Sequence, residues 1–160
     1  AIQTFHGCLF SCTPTRGKIS AATPTMKLEH TALNVADPVA VAAWYCTHLE
    51  MQIARYIPSP THTHFLHDGA GSIVEIYRNP PDRIPDYAAM DPLILHLAFT
   101  STNAAHDLAR LLAAGATLVT DLHQPDGSRL IMLRDPWGLA LQICQRATPL
   151  LPPSSPQAAS

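Results

Sequence analysis

The chain carries one supersecondary pattern twice. Phe65 to Tyr77 (FLHDGAGSIVEIY) aligns without a gap on Met132 to Cys144 (MLRDPWGLALQIC), setting Asp68 on Asp135, Gly71 on Gly138, Glu75 on Gln142 and Ile76 on Ile143. Upstream, Leu28 to Val35 (LEHTALNV) aligns on Ile94 to Ser101 (ILHLAFTS), so that His30 falls on His96. His96 follows His30 by 66 residues and Gln142 follows Glu75 by 67. Solenoid repeats run to about 20–50 residues, so a longer period with one residue of slippage marks a duplicated module.

Each copy has the same order of elements. Leu28 to Val35 alternates as a strand, and Asp37 then offers an N-cap with Pro38 at the first helical position, opening a helix to about Leu49. Strands are expected near Met51–Ile57, Thr61–His67 and Ser72–Tyr77, the last two joined through Asp-Gly-Ala-Gly as a hairpin. In the second copy the strand is expected near Leu93–Thr100 and the helix near Thr102–Ala114, with Gly115 as its stop. Strands follow near Thr117–His123, Arg129–Arg134 and Leu139–Gln145. The pattern is βαβββ twice, an α+β domain. Module 1 spans about 26–79 and module 2 about 93–146. Between them lies a Pro-rich stretch, about 80–92, read as a stiff extended linker.

Residues 1–25 contain no acidic side chain and lack a lasting period, so they are set outside the fold as a targeting or upstream extension. His6, Cys8 and Cys12 have no second ligand pair at finger spacing. Residues 147–160 form a Pro/Ser/Ala tail. Cys46 and Cys144 read as small buried residues of a reducing, cytoplasmic protein. Formal charge −2 with ten Lys plus Arg argues against a nucleic-acid partner. No run of about 18 apolar residues provides a membrane span.

Strand alternation then sorts the polar residues. His30, Ala32 and Asn34 share a face opposite Leu33 and Val35, and His96, Ala98 and Thr100 share one opposite Leu97 and Phe99. In the last strand of each copy Glu75 and Tyr77 oppose Val74 and Ile76, while Gln142 and Cys144 oppose Leu141 and Ile143. The apolar faces must meet the helices, so His30, Glu75, His96 and Gln142 point the other way. Two imidazoles, a carboxylate and a carboxamide from equivalent positions make a ligand set for one divalent metal.

These pieces, LEHTALNV, WYCTHLEM, IVEIYRN, LILHLAF and DPWGLALQI, resemble the vicinal oxygen chelate superfamily, which includes glyoxalase I, bleomycin-resistance proteins, fosfomycin-resistance enzymes, methylmalonyl-CoA epimerase and extradiol dioxygenases. The resemblance covers about Met26 to Arg146. It implies two tandem βαβββ modules whose curved mixed sheets form a metal-binding cup. Carried over by position, the metal ligands are His30, Glu75, His96 and Gln142, holding one divalent transition metal (Zn, Ni, Mn, Co or Fe). Two open positions would take a small substrate that chelates through neighbouring oxygens.

The chain departs from the glyoxalase I pattern at Gln142, where a glutamate usually serves as ligand and base; a carboxamide cannot move a proton at neutral pH. The expected base is therefore Glu75, in a lyase, isomerase or epimerase. A 2-His-1-Glu triad would also suit an iron-dependent extradiol-type dioxygenase, and a metal-free antibiotic-binding cup is the non-catalytic alternative. Asn79 matches a glutathione-contacting asparagine, whereas Asn34 stands where an arginine is usual. Tyr77 and Arg134 are expected to face the cup, and Trp137 to stand exposed in the second hairpin against substrate or a partner subunit. Trp44 and Tyr45 are expected in the core, as is His64, which aligns with Ile131; His62, His64 and His67 split between faces. Glu50 replaces the usual glycine after the first helix. A homodimer is expected, because curved sheets need cover for their edges. The modules either close on each other within one chain or exchange across the dimer.

Overall fold

A computed structural model describes residues 26–151. The readings made for residues 1–25 and for 152–160 lie outside the described residues. The order of elements is β1 (Thr31–Asn34), α1 (Pro38–His48), β2 (Gln52–Ile57), β3 (Thr63–His67), β4 (Ile73–Tyr77), β5 (Leu97–Thr100), α2 (Ala104–Ala113), β6 (Thr117–His123), β7 (Arg129–Arg134) and β8 (Ala140–Gln145). They make two four-stranded mixed sheets, β1-β4-β3-β2 and β5-β8-β7-β6, with identical topology. In each sheet the first strand runs parallel to the last and the remaining pairs are antiparallel. The sheets do not close into a barrel. Neither helix is long and apolar enough to cross a membrane.

The local chemistry follows the sequence closely. Asp37 caps α1 by accepting from the Ala40 N–H at 3.0 Å, with Pro38 where a missing N–H costs nothing. Asn103 caps α2 through the His106 N–H. Both helices leave through a left-handed residue: Gly115 at φ 92 after α2, and Glu50 at φ 59 after α1. The first strand of each module is shorter than expected. The β1 ladder starts at Thr31 against Val74 and the β5 ladder at Leu97 against Leu141, so both histidines sit one residue before a strand.

The two copies of the hairpin turn share a motif and differ in burial. Asp68 Oδ1 accepts from the N–H groups of Ala70, Gly71 and Ser72, and Asp135 Oδ1 from those of Trp137 and Leu139. At Asp68, partial desolvation is outweighed by these hydrogen bonds, which hold its carboxyl below the ordinary value. Asp135 is buried, and desolvation overcomes its hydrogen bonds from Tyr45, Trp137 and Leu139 to push its carboxyl up.

The modules join through their helix-bearing sides. Leu33, Val41, Tyr45, Leu66 and Ile76 of module 1 form one core with Leu111, Ile131, Leu133, Leu141 and Ile143 of module 2. Each such fully buried aliphatic side chain is worth about 1.5–3 kcal/mol. Helix α1 (PVAVAAWYCTH) is apolar around most of its circumference because it is gripped on two sides. It packs on β3 and β4, while Trp44 Nε1 donates to the Ala114 carbonyl and Tyr45 Oη donates to Asp135 Oδ2 at 2.9 Å.

The linker is a fastened strap rather than an extended spacer. It turns at Pro80–Arg83 and at Asp86–Met90, where backbone hydrogen bonds close on themselves. Asn34 Nδ2 donates to the carbonyls of Pro80 and Arg83, and the Tyr87 hydroxyl donates back to the Asn34 carbonyl. On the other module Arg134 donates to the carbonyls of Tyr87, Met90 and Gly138. Gly138 is required there: at φ 90, an added Cβ would lie 2.7 Å from Ala88.

Candidate metal and substrate site

Register places the site residues. In sheet 1, Ala32 pairs with Glu75, Glu75 with Phe65, and Phe65 with Arg55; paired residues point to one face, away from the core. His30 extends that face beyond the end of β1. Its Nε2 lies 3.2 Å from Glu75 Oε2, and the Phe65 ring meets the imidazole edge-on, centroids 5.6 Å apart. His30 Nδ1 is buried and lacks a hydrogen-bond partner among the described residues, although Glu29 Oε2 lies 3.3 Å away.

In sheet 2 the equivalent row is Ala98, Gln142, Met132 and Thr120. His96 stands before β5, its Nδ1 2.9 Å from the Pro92 carbonyl, which leaves Nε2 as the outward nitrogen. Gln142 Oε1 accepts from Cys144 Sγ at 3.2 Å. The chain therefore brings His30 to Glu75 and sets His96 and Gln142 at matching places on the other sheet, without uniting the two halves. Among the described residues no three His, Cys, Asp or Glu side chains converge as a metal cluster. A cleft of about 900 Å³ runs along His30 and the strand edges at 28–31 and 97–100.

Other expected site residues have different tasks. Asn34, expected beside a substrate, holds the strap and accepts from the Asn79 N–H through Oδ1. Arg134, expected to face the cup, spends its guanidinium on three carbonyls. Trp137 is not an exposed platform: it packs against Trp44 at a centroid distance of 6.4 Å, because the buried Asp135 turn draws it into the module junction. Tyr77 stays on the open face, half-buried beside Asn34. His64 is buried on the core side, opposite Ile76, while His67 shares the open face with Phe65.

Phe65 and Arg55 are the neighbours of this site that the sequence did not single out. The signal for Phe65 was present, since it aligns with Met132 in the ungapped repeat. Arg55 is hidden by a β-bulge between Ile53 and Arg55 that resets the alternation.

A model of the Glyoxalase/Bleomycin resistance protein/Dioxygenase superfamily matches residues 27–143. No curated protein matches the chain. Among solved structures, a glyoxalase family protein from Enterococcus faecalis is similar over 76% of this chain and 98% of its own, at 22% identity and TM-score 0.60. TnmS3, an antibiotic-binding protein from Streptomyces sp. CB03234, is similar over 76% and 97%, at 18% identity and TM-score 0.60. A glyoxalase I mutant from Zea mays is similar over 76% of this chain and 46% of its own, at 19% identity and TM-score 0.61.

Proposed function

The chain belongs to the Glyoxalase/Bleomycin resistance protein/Dioxygenase superfamily, and from that premise we propose a metal-dependent enzyme of the lyase, isomerase or epimerase kind, working as a homodimer on a small substrate with vicinal oxygens. The reading rests on the 3.2 Å approach of His30 Nε2 and Glu75 Oε2. Two ligands each about 2.1 Å from one ion lie about 3.0–3.4 Å apart, so the pair fits two neighbouring positions of a coordination shell. His30 Nδ1 is buried without a hydrogen-bond partner among the described residues, and the ring turns its other nitrogen, Nε2, to Glu75, where an ion would sit. His96 and Gln142 complete a mixed nitrogen and oxygen set suited to a divalent transition ion.

Because the modules are joined through their core sides, each site takes His30 and Glu75 from one protomer and His96 and Gln142 from its partner. Support comes from Leu28 and Ile94, two residues before the two histidines and 87% and 74% exposed, equivalent apolar side chains that a second copy would cover. The free edges of β1 and β5 lie beside them.

A bound divalent ion would supply Lewis-acid stabilisation of negative charge on the substrate oxygens. Glu75 takes the proton from the carbon beside those oxygens through its carboxylate. His30, braced by Phe65, would hold the ion beside that carboxylate. Gln142 binds and orients but carries no proton, so transfer runs on one face of the substrate.

One observation favours a second reading, a binding cup without catalysis: the position of the usual base is a carboxamide that accepts from Cys144. Metal analysis of the purified protein beside His96→Ala decides between them. About one transition metal per chain, lost in the variant, supports the enzyme. No metal in either after reconstitution overturns it and leaves the cup. The metal's identity then selects the assay, hemithioacetal turnover from methylglyoxal and glutathione, or oxygen uptake with catechols for the iron dioxygenase alternative.

A further inference from the structure

We infer that Arg55 is the specificity-determining residue of this site, gripping a carboxylate that the substrate carries across a flat apolar middle from its chelating oxygens; this rests on the metal reading above. The row Glu75, Phe65, Arg55 crosses three neighbouring strands on the open face of sheet 1. Strands lie about 4.8 Å apart, so the Arg55 backbone is about 10 Å from that of Glu75, with the Phe65 ring between them. Arginine reaches several ångströms along that line. A substrate chelated beside Glu75 would lie over Phe65 and end at the guanidinium, whose planar fork matches a carboxylate.

The other strand arginines are already committed. Arg129 is paired with Asp121 at 2.7 Å, and Arg134 is bound to the strap carbonyls. Arg55 is exposed and makes no ion pair or side-chain hydrogen bond among the described residues. The bulge at Ala54 brings it to the same face as Glu75. Module 2 has the same bulge, between Leu118 and Thr120, but presents Thr120 at the equivalent position, opposite Met132. A cup made of the two faces is therefore cationic at one end of its row and neutral at the other. That asymmetry gives the substrate a single orientation.

The test is calorimetric titration of the metal-loaded full chain with 3-(3,4-dihydroxyphenyl)propanoate, its methyl ester and catechol. The acid is expected to bind about tenfold more tightly than the ester, as one charge-assisted hydrogen-bonded pair allows. In Arg55→Gln that ratio falls to about one, and Arg55→Lys recovers part of it. A ratio near one in the unaltered protein, or one that survives in Arg55→Gln, overturns the inference. Catechol that fails to bind the metal-loaded chain overturns the metal reading separately. The acid alone then decides: binding lost in Arg55→Gln keeps the anion contact, and binding indifferent to the change ends it.

Discussion

Glu75→Ala and His96→Ala damage opposite halves of the proposed shared site, which permits a test that does not depend on the substrate. In a homodimer of either variant both sites lack a donor. A mixed dimer differs: one site draws His30 and Glu75 from the His96→Ala protomer and His96 and Gln142 from the Glu75→Ala protomer, and is intact. The second site carries both lesions. Random pairing makes about half of the dimers mixed, each with one good site of two, so an equimolar population recovers about one quarter of the unaltered metal content. Mixed dimers isolated through two different tags rise to about one half. Metal per chain is read by inductively coupled plasma mass spectrometry after desalting. Recovery no higher than in the single variants refutes exchange across a dimer.

Three further outcomes follow from the fold. Glu50→Gly relieves a left-handed residue at the end of α1, and the net gain of about 1 kcal/mol, after the greater freedom of glycine in the unfolded chain, raises the melting temperature by about 4 °C; an unchanged midpoint contradicts the strain. Gly138→Ala forces a Cβ onto Ala88 and lowers stability in urea by about 3 kcal/mol, while a loss within 0.5 kcal/mol shows that the strap gives way. Tyr45→Phe removes the hydroxyl that donates to buried Asp135 and costs about 2 kcal/mol at neutral pH. Because burial raises the Asp135 carboxyl, the folded state holds that proton more tightly than the unfolded chain. Its contribution to stability therefore falls as pH rises from about 4 through the raised value. The Tyr45→Phe penalty is larger at pH 8 than at pH 4, and Asp135→Asn removes the slope; equal penalties at both pH values contradict the assignment.

The duplicated pattern made most of the architecture legible. Alternation separated Leu33 from Ala32 and Ile76 from Glu75, and β6 and β7 have the bounds read from sequence. Local rules suffice for caps, turns and faces, and His30 meets Glu75 because parallel neighbours with matched alternation must share a side. What lay beyond the sequence is how elements far apart in the chain settle on each other. The repeat is silent on the burial that separates Asp68 from Asp135, and so on why Trp137 turns inward. Proline content spoke for stiffness in the linker, whereas its path depends on Asn34 and Arg134, two polar side chains that the apparent ligand pattern drew toward the cup. A bulge, which adds one residue to one strand, conceals Arg55 from any count by twos.

The junction between the modules has a consequence for how such a chain can change. Leu33, Ile76, Ile131 and Ile143 support the molecule, while Ala32, Glu75, Phe65, Arg55 and Thr120 occupy the outward places on the same strands. Neighbouring residues on a strand thus answer to separate demands, every second one to cohesion and the one between turned outward, where Asn34 and Arg134 also fasten the strap. Replacement at outward places that do not hold the strap leaves the shared interior filled, so those positions are free to change while the scaffold stands still.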